Sequence, residues 1–343
     1  MKAFIVTTFI GCFGIDENNK ILEYVEFPND PQKIAEKFNQ SKISKIEEEN
    51  RVEDFLKKKG FTKIEKMESE FIKNNLFKLA QEKKFVKSRA EFNQFVSKIS
   101  IELTKIEIKK AITRDNLIIQ ANSAVEELDK SINILIERLR EWYGLHFPEM
   151  DKIIEDNNKF VEIVEKFGSR EKIEHEELSH FRDKSMGIEL SYDDVTTIQL
   201  FAKEIKELYD LRNKLSKYSE DLLKEVAPNL KDLAGPVLAA KLISLAGGLE
   251  KLARMPSSTI QLLGAEKALF RHLHGQGKSP KHGIIIMHPF IQNVPIKHRG
   301  KLARLIASKL SIAAKMDFYS KTYKGKELKR ELENKIKEVL KAK

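Results

Sequence analysis

Apolar residues change their spacing several times along this chain. Between Phe4 and Phe27, the runs AFIVTTFIGCFGI and ILEYVEF alternate β-branched and aromatic residues with others at period two, on either side of the polar turn Asp16-Glu17-Asn18-Asn19. That pattern predicts hairpin strands. After Pro31 the spacing becomes helical, with Ile34 and Phe38, then Val52, Phe55 and Leu56, then Phe71, Ile72 and Leu76. Residues 1–90 are therefore expected to form a small α/β docking domain.

Residues 91–227 read as a helical linker and a long arm. Ile118, Ala121, Val125, Leu128, Ile132, Leu135, Leu139 and Trp142 step by alternating threes and fours, which keeps one narrow seam on one face of a continuous helix. About 25 residues at 1.5 Å each extend it roughly 35–40 Å. A second seam, Val195, Ile198, Phe201, Ile205, Leu208, Leu211, Leu215, Tyr218 and Leu222, is sufficient to pair with the first. The simplest geometry is a long antiparallel coiled coil within one chain. Its tip segment, 147–194, has a break at Pro148, a helix from Ile153 to Phe167, and a stop at Gly168. An ordinary helical bundle is the competing reading, and the strictness of the first seam argues against it.

Residues 228–343 are helical with glycine and proline punctuation at Gly235-Pro236, Gly247-Gly248, Pro256, Gly264 and the loop from Gly275 to Gly283. Val237, Leu238, Leu242, Ile243 and Leu245 form an apolar helix expected to lie in the core. From Ile296, Lys297, Lys301, Arg304, Ser308, Ser311 and Lys315 line one face opposite Leu302, Leu305, Ile306, Leu310 and Ala313. One face is basic and the other is core. The last helix, Glu327 to Leu340, is amphipathic, and its lysines read as a solvated face.

Charge sharpens the picture. Residues 228–343 carry 23 lysines and arginines against 8 acids, whereas residues 1–227 carry 39 against 44. The excess positive charge all lies in the last third, and a one-sided basic field is commonly met by a polyphosphate. With 33% charged and 41% hydrophobic residues over 343 positions, the chain is expected to be soluble, globular and divided into two or three domains. Cys12 is the one cysteine, which excludes an internal disulfide and cysteine-based zinc sites and fits a reducing, cytoplasmic setting. No run approaches the roughly 20 apolar residues that would span a membrane. The apolar N-terminus lacks a small-residue cleavage site and reads as strands.

Catalytic constellations are missing from the pattern. The first 90 residues contain no histidine and no glycine-rich phosphate loop, and Gly11-Cys12-Phe13-Gly14 lacks the spacing of a methyltransferase fingerprint. Gly275-Gln276-Gly277-Lys278-Ser279 resembles the end of a phosphate-binding loop, but His272 stands where that loop needs its first glycine. His272, His274, His282, His288 and His298 lie close together in sequence. Their neighbours Lys278, Lys281, Lys297 and Arg299 repel a dication, so imidazoles that stack on bases or donate to phosphate fit better than zinc. No metal and no catalytic residues are expected.

The residues GAEKALFRHL from Gly264, HGQGKSPKHG from His274 and HPFIQ from His288 resemble the signature of the Nop-domain family. The order of parts, with an α/β N-terminal domain, a coiled-coil arm and an all-helical C-terminal Nop domain, resembles the archaeal box C/D guide ribonucleoprotein core scaffold, a fibrillarin-binding pre-rRNA processing protein. The chain as a whole is then mainly α with a small α/β N-terminal domain. The stop at Lys343, without a long lysine-rich tail, favours the archaeal type.

The resemblance implies a non-catalytic scaffold for RNA-guided 2′-O-methylation of rRNA or tRNA. Its partners would be box C/D guide RNA, a small kink-turn-binding ribosomal-protein-like factor and a fibrillarin-like methyltransferase. That methyltransferase uses S-adenosylmethionine, and this chain would hold no cofactor of its own. A second copy would join through the coiled coil, along Val125, Leu128, Ile132, Leu135, Leu139 and Trp142. Gly264, Ala265, Glu266, Ala268, Leu269 and Phe270 would meet the protein partner. Lys267, Arg271, His272, Lys278, Lys281, His282 and Gln292 would reach RNA, and Lys297, Arg299, Lys301 and Arg304 would extend the basic surface. Two rivals remain: a splicing-type Nop protein, and a coiled-coil tether that holds nucleic acid nonspecifically.

Overall fold

A computed structural model describes residues 2–341 and divides them into two compact units, 1–112 and 113–343. In the first unit, β1 (Lys2–Thr8), β2 (Gly11–Asp16) and β3 (Ile21–Glu26) form an antiparallel meander, and β4 (Lys63–Lys66) adds a parallel edge strand beside β1. The sheet order is β3-β2-β1-β4. The single hairpin expected from the sequence is thus two, because the chain also turns at Phe9-Ile10. Strand β4 escapes sequence reading: its KIEK run carries one half-buried apolar residue, the short charged form that protects a sheet edge.

Helices α1 (Pro31–Ser41), α2 (Glu47–Lys58), α3 (Glu70–Glu82) and α4 (Arg89–Ala111) complete this unit. Ile5, Phe13, Ile15, Ile34, Val52, Leu56 and Ile72 form its core together with Phe95 and Ile99 of α4. The last two correct the expected boundary near residue 90. Helix α4 packs on α1 and fills the same core, so the first unit runs to Ile112.

The second unit opens with α5 (Asp115–Tyr143), which pairs antiparallel with α9 (Tyr192–Val226). Near the base, Ile118 and Ala121 are buried as the seam requires, and Ile132 and Leu139 are buried further out. Val125, Leu128 and Leu135 are half-buried, while Trp142 sits on the rim with its ring 6.1 Å from Phe201. Ile136 and Tyr143, both outside the predicted seam, are buried instead. An α-helix drifts about 20° per heptad from a 3.5-residue repeat, and at the tip a third helix arrives on the drifting side.

That helix is α7 (Asn157–Phe167), whose Phe160, Val161 and Val164 join Ile136, Tyr143, Ile198 and Ala202 in one cluster. The expected two-stranded arm therefore ends in a small bundle. The preceding stretch is a separate short helix, α6 (Pro148–Ile153), started by Pro148 at its first turn. Asp156 then caps α7 by accepting from Lys159 N at 2.7 Å, so the helix begins later than Ile153. The short α8 (Glu176–Ser179) lies in the return to α9.

The remaining elements are α10 (Pro228–Ala234), α11 (Pro236–Ala246), α12 (Leu249–Arg254), α13 (Ser257–Leu262), α14 (Glu266–Leu273), α15 (Pro289–Gln292), α16 (Ile296–Lys315) and α17 (Gly325–Lys341). All but α14 pack around α16 or one another, through a core that includes Leu242, Ile243, Ile260, Leu302, Ile306 and Leu310. Ile118, Leu222 and Leu223 at the base of the arm belong to this same core. The Asp115 carboxylate accepts from Leu249 N at 2.7 Å and caps α12. The division expected at residues 227 and 228 is therefore a helix boundary inside one unit.

Two further expectations need correction. Val237 and Leu245 of α11 are exposed, since only one side of that helix faces the core. Ser311 is buried against Met255, and Ile312 takes its place on the outer face of α16. Among the described residues, no helix is long and apolar enough to cross a membrane.

A candidate nucleic-acid interface

Helix α14 buries none of its eight residues. A short helix with no packed face gains almost nothing from burial, so something else must fix its place. The backbone on either side does so. Gly264 takes φ +84° at the entry corner, a conformation that costs other residues dearly, and its N–H donates to the Glu266 carboxylate at 2.7 Å. At the exit, Gly275 N and Gln276 N donate to the carbonyls of His272 and Arg271, closing the last turn.

The chain then returns beneath its own start. Gly283 N donates to Gln261 O at 2.8 Å and Ile284 N to Leu263 O at 2.7 Å, while Gln261 Nε2 donates to Lys281 O at 2.7 Å. A side chain at Gly283 would place its Cβ 2.0 Å from Leu263 O, so only glycine permits this approach. The result is a lobe, residues 264–282, held at its neck and open everywhere else.

One side of the lobe is apolar. Phe270 and Leu273 are exposed at 62% and 72%, and Leu269 beside them is half-buried, while Ala268, also half-buried, lies round the helix from them. His274 stacks on Phe270 with ring centroids 4.1 Å apart and contacts the Phe270 carbonyl through Nδ1 at 2.9 Å. A shallow depression between α13 and α14 is lined by Ser258, Thr259, Leu262, Leu263, Glu266 and Leu269. Its α13 side was missed by sequence reading, and the paired Leu262-Leu263 before the glycine was the available signal.

Cations flank this face, and Phe270 shares a shallow depression with Lys267 and Arg271. Lys267, Arg271, His272, Lys278 and Lys281 are exposed, and His282 is half-buried. His272 Nδ1 lies 3.0 Å from Gly277 O, which holds the loop's tip against the helix. Lys281 runs alongside Gly300 of α16, with its Cδ 3.5 Å from where a Gly300 Cβ would stand. The lobe is thereby joined to the face of α16 that exposes Lys297, Lys301 and Arg304. Gln292 is exposed at the end of α15. Arg299 stands apart: it is half-buried, and its guanidinium donates to the carbonyls of Val294 and Gln292 at 3.1 and 3.5 Å. Those bonds tie α15 to α16.

Lysines and arginines on the arm are widely matched by acids, as in Arg212 with Asp129, Lys206 with Glu165 and Arg140 with Asp151. Among the described residues, Lys267, Arg271, Lys278, Lys281, Lys297, Lys301 and Arg304 have no carboxylate in ion-pair range. Unpaired cations around an exposed aromatic suit an anionic, stackable ligand.

His288, the fourth of the clustered histidines, belongs to the core. It is 3% exposed, its Nε2 donates to Leu233 O at 3.0 Å, and its Nδ1 accepts from Phe290 N at 3.3 Å as the cap of α15. Burial pushes its pKa below the ordinary imidazole range, and the Leu233 carbonyl opposes that shift in part. No cluster of metal-ligating side chains occurs among the described residues.

A family model described as the Nop snoRNA binding domain, fibrillarin, matches residues 124–338. A second, the archaeal Nop5/56-related N-terminal domain, matches residues 2–70. Among curated proteins, a NOP5 family protein of Methanocaldococcus jannaschii is 40% identical over 365 residues, covering 98% of this chain and 86% of that protein. Nucleolar protein 56 of Schizosaccharomyces pombe is 39% identical over 68% of this chain, and that of Homo sapiens 36% over the same share. These matches span 51% and 43% of the two nucleolar proteins. A crystal structure titled as a fibrillarin/Nop5p complex contains a chain 22% identical with a TM-score of 0.45, covering 98% of this chain and 99% of that one.

Proposed function

Since the chain belongs to the Nop family, we propose that it is a non-catalytic scaffold of a box C/D guide ribonucleoprotein. It holds a fibrillarin-like methyltransferase at the N-terminal unit and a kink-turn RNA, already bound by its small protein factor, at the C-terminal lobe. A second copy joins through the outer surface of the arm, and not along the expected seam, whose Ile132 and Leu139 are already buried within this chain. Its own chain contributes position and no chemistry: specificity for the methylated nucleotide comes from base pairing in the guide, and S-adenosylmethionine belongs to the partner enzyme.

The observation that carries this reading is the lobe at 264–282. Its apolar face, around Leu262, Leu269 and Phe270, offers a surface for a protein, and the flanking cations, Lys267, Arg271 and Lys281, offer one for phosphates. The two meet on one eight-residue helix. A ligand that is part protein and part RNA satisfies both at once, and neither component alone does. The lobe's arrangement is thus suited to sensing that a kink-turn has been loaded.

The test is a titration of the full chain with kink-turn RNA, with the small factor, and with the two preassembled. The preassembled target should bind far more tightly than either part. Lys267→Ala combined with Arg271→Ala should weaken that binding and lower its dependence on log salt by roughly one unit per lost phosphate contact. Equal affinity for bare and loaded RNA would instead favour a nonspecific tether.

A further inference from the structure

At the far end of α16 the helix does not simply stop. It passes into a five-residue π-helical turn, Met316–Ser320, and then into an irregular connector before α17. Such turns are rare and concentrate at functional positions. Every residue from Tyr319 to Lys324 is exposed, and together they read YSKTYK. Two phenols, two ammoniums and two hydroxyls alternate along six positions, with Tyr319 at 61% and Tyr323 at 52% exposure.

An exposed polar connector of this kind is ordinarily mobile, yet this one is held by buried groups. Asp317, 6% exposed, accepts from Asn229 N at 3.1 Å, Asn229 Nδ2 at 2.7 Å and Leu230 N at 2.9 Å. Asn229, 1% exposed, also donates to Thr322 O at 2.8 Å and accepts from Lys324 N at 2.6 Å. Lys321 adopts a left-handed backbone, φ +52°, and donates its N–H to Met316 O at 2.7 Å. Tyr323 donates its hydroxyl to Asp232 at 2.5 Å. Burying a carboxylate costs several kcal/mol unless its hydrogen bonds are made. Here they are made, and what they fix is a display led by Tyr319 and Lys321, with Tyr323 bonded to Asp232 and Lys324 4.0 Å from Glu327 beside them.

We infer that the Tyr319–Lys324 segment is a second RNA contact, one that takes a single strand by stacking bases on its tyrosines and pairing phosphates with Lys321 and Lys324. Aromatic faces accept any base, and adjacent ammoniums follow the backbone. The placement agrees with a path. Lys297, Lys301, Arg304, Ser308 and Lys315 line the outer face of α16, and its 20 residues span about 30 Å. Single-stranded RNA leaving the lobe at one end of this helix meets Lys297, Lys301 and Arg304, crosses an uncharged stretch at Ser308 and Ile312, and reaches Lys315 and then Tyr319. The inference rests on the RNA-binding reading proposed above, and names a site on the opposite end of the helix from it.

The full chain is titrated with a fluorescent single-stranded oligouridylate of about 12 nucleotides, a length within the usual footprint of single-strand sites. Tyr319→Ala should weaken binding about tenfold, the effect of losing one stacked base. Tyr319→Phe should bind like the parent, and ultraviolet cross-links should map to Tyr319 or Tyr323. Lys321→Gln should lower the salt slope by about 0.7, as for one phosphate on a single strand. Parent-like affinity in Tyr319→Ala and Lys321→Gln, or no binding of the strand by the parent chain, overturns the inference. The loaded kink-turn, titrated in parallel, separates the two claims. If the parent chain ignores it yet binds the oligouridylate through Tyr319, the scaffold reading fails and the single-strand site stands. If it binds the kink-turn alone, the reverse holds.

Discussion

An imidazole can serve a surface or a core, and five histidines close together in sequence do both here. His272 and His274 are exposed on the lobe, whereas His288 is locked between Leu233 O and Phe290 N. The fold holds His288 neutral, because a second proton on Nδ1 would lose the Phe290 bond and charge a buried ring. Its folded pKa lies below the ordinary value near 6.5, so the unfolded chain binds the proton more readily. The linked stability is complete above about pH 6.5 and is lost as pH falls through that value towards the depressed folded one. Urea unfolding at several pH values should show this loss, and His288→Asn should remove it while lowering stability by about 2 kcal/mol at neutral pH. An unchanged pH profile in the variant would assign the dependence elsewhere. Composition and charge could not separate this histidine from its neighbours, since burial is a property of the packed chain. Exposure of the lysines was legible because they lie outside the core, where side-chain type and exposure go together, whereas Arg299 could not be told apart from them and is half-buried.

Helix α14 shows how much of an element's position comes from its flanks. Its sequence carries exposed apolar and cationic residues, but the feature that presents them is the backbone approach of Gly283 to Leu263 O. Gly283→Ala should cost about 2 kcal/mol or more through overpacking against backbone, and should speed amide exchange across 264–282 before it affects the arm. By contrast, Phe270→Ala should leave the melting temperature within about a degree or two, because the ring is 62% exposed, while weakening binding of the loaded kink-turn. A large stability loss in Phe270→Ala would show that the ring is packed after all. The arm illustrates the limits of periodicity in a different way. Alternating threes and fours from Ile118 to Trp142 marked a long helix, yet the choice between Leu135 and Ile136, or Trp142 and Tyr143, depended on α7 arriving beside it. A seam read from one helix cannot know its second neighbour. The same is true of β4, whose pairing with β1 is set by the chain's return path and not by its own KIEK sequence.

Charge and hydrophobic period suggested three regions, whereas the structure divides the chain into two units, for one reason. Boundaries were drawn where spacing changed, whereas a folding unit ends where shared burial ends. Spacing changes at residue 228, but Leu222, Leu223 and Leu230 occupy one core. Spacing turns helical well before residue 90, but Phe95 and Ile99 still belong with Phe85 and Val86. Helix α4 is therefore expected to be required for the first unit to stand. A fragment of residues 1–112 should fold alone and melt cooperatively. A fragment of residues 1–90 loses two buried side chains, each worth about 2–5 kcal/mol when truncated, from a unit whose total stability is about 5–15 kcal/mol. It should show a broad, low-temperature transition by circular dichroism, with apolar surface exposed on α1 where α4 had lain. Equally sharp melting of the two fragments would mean that α4 only rests on a unit already complete at residue 90, and the chain would then have three separable parts instead of two.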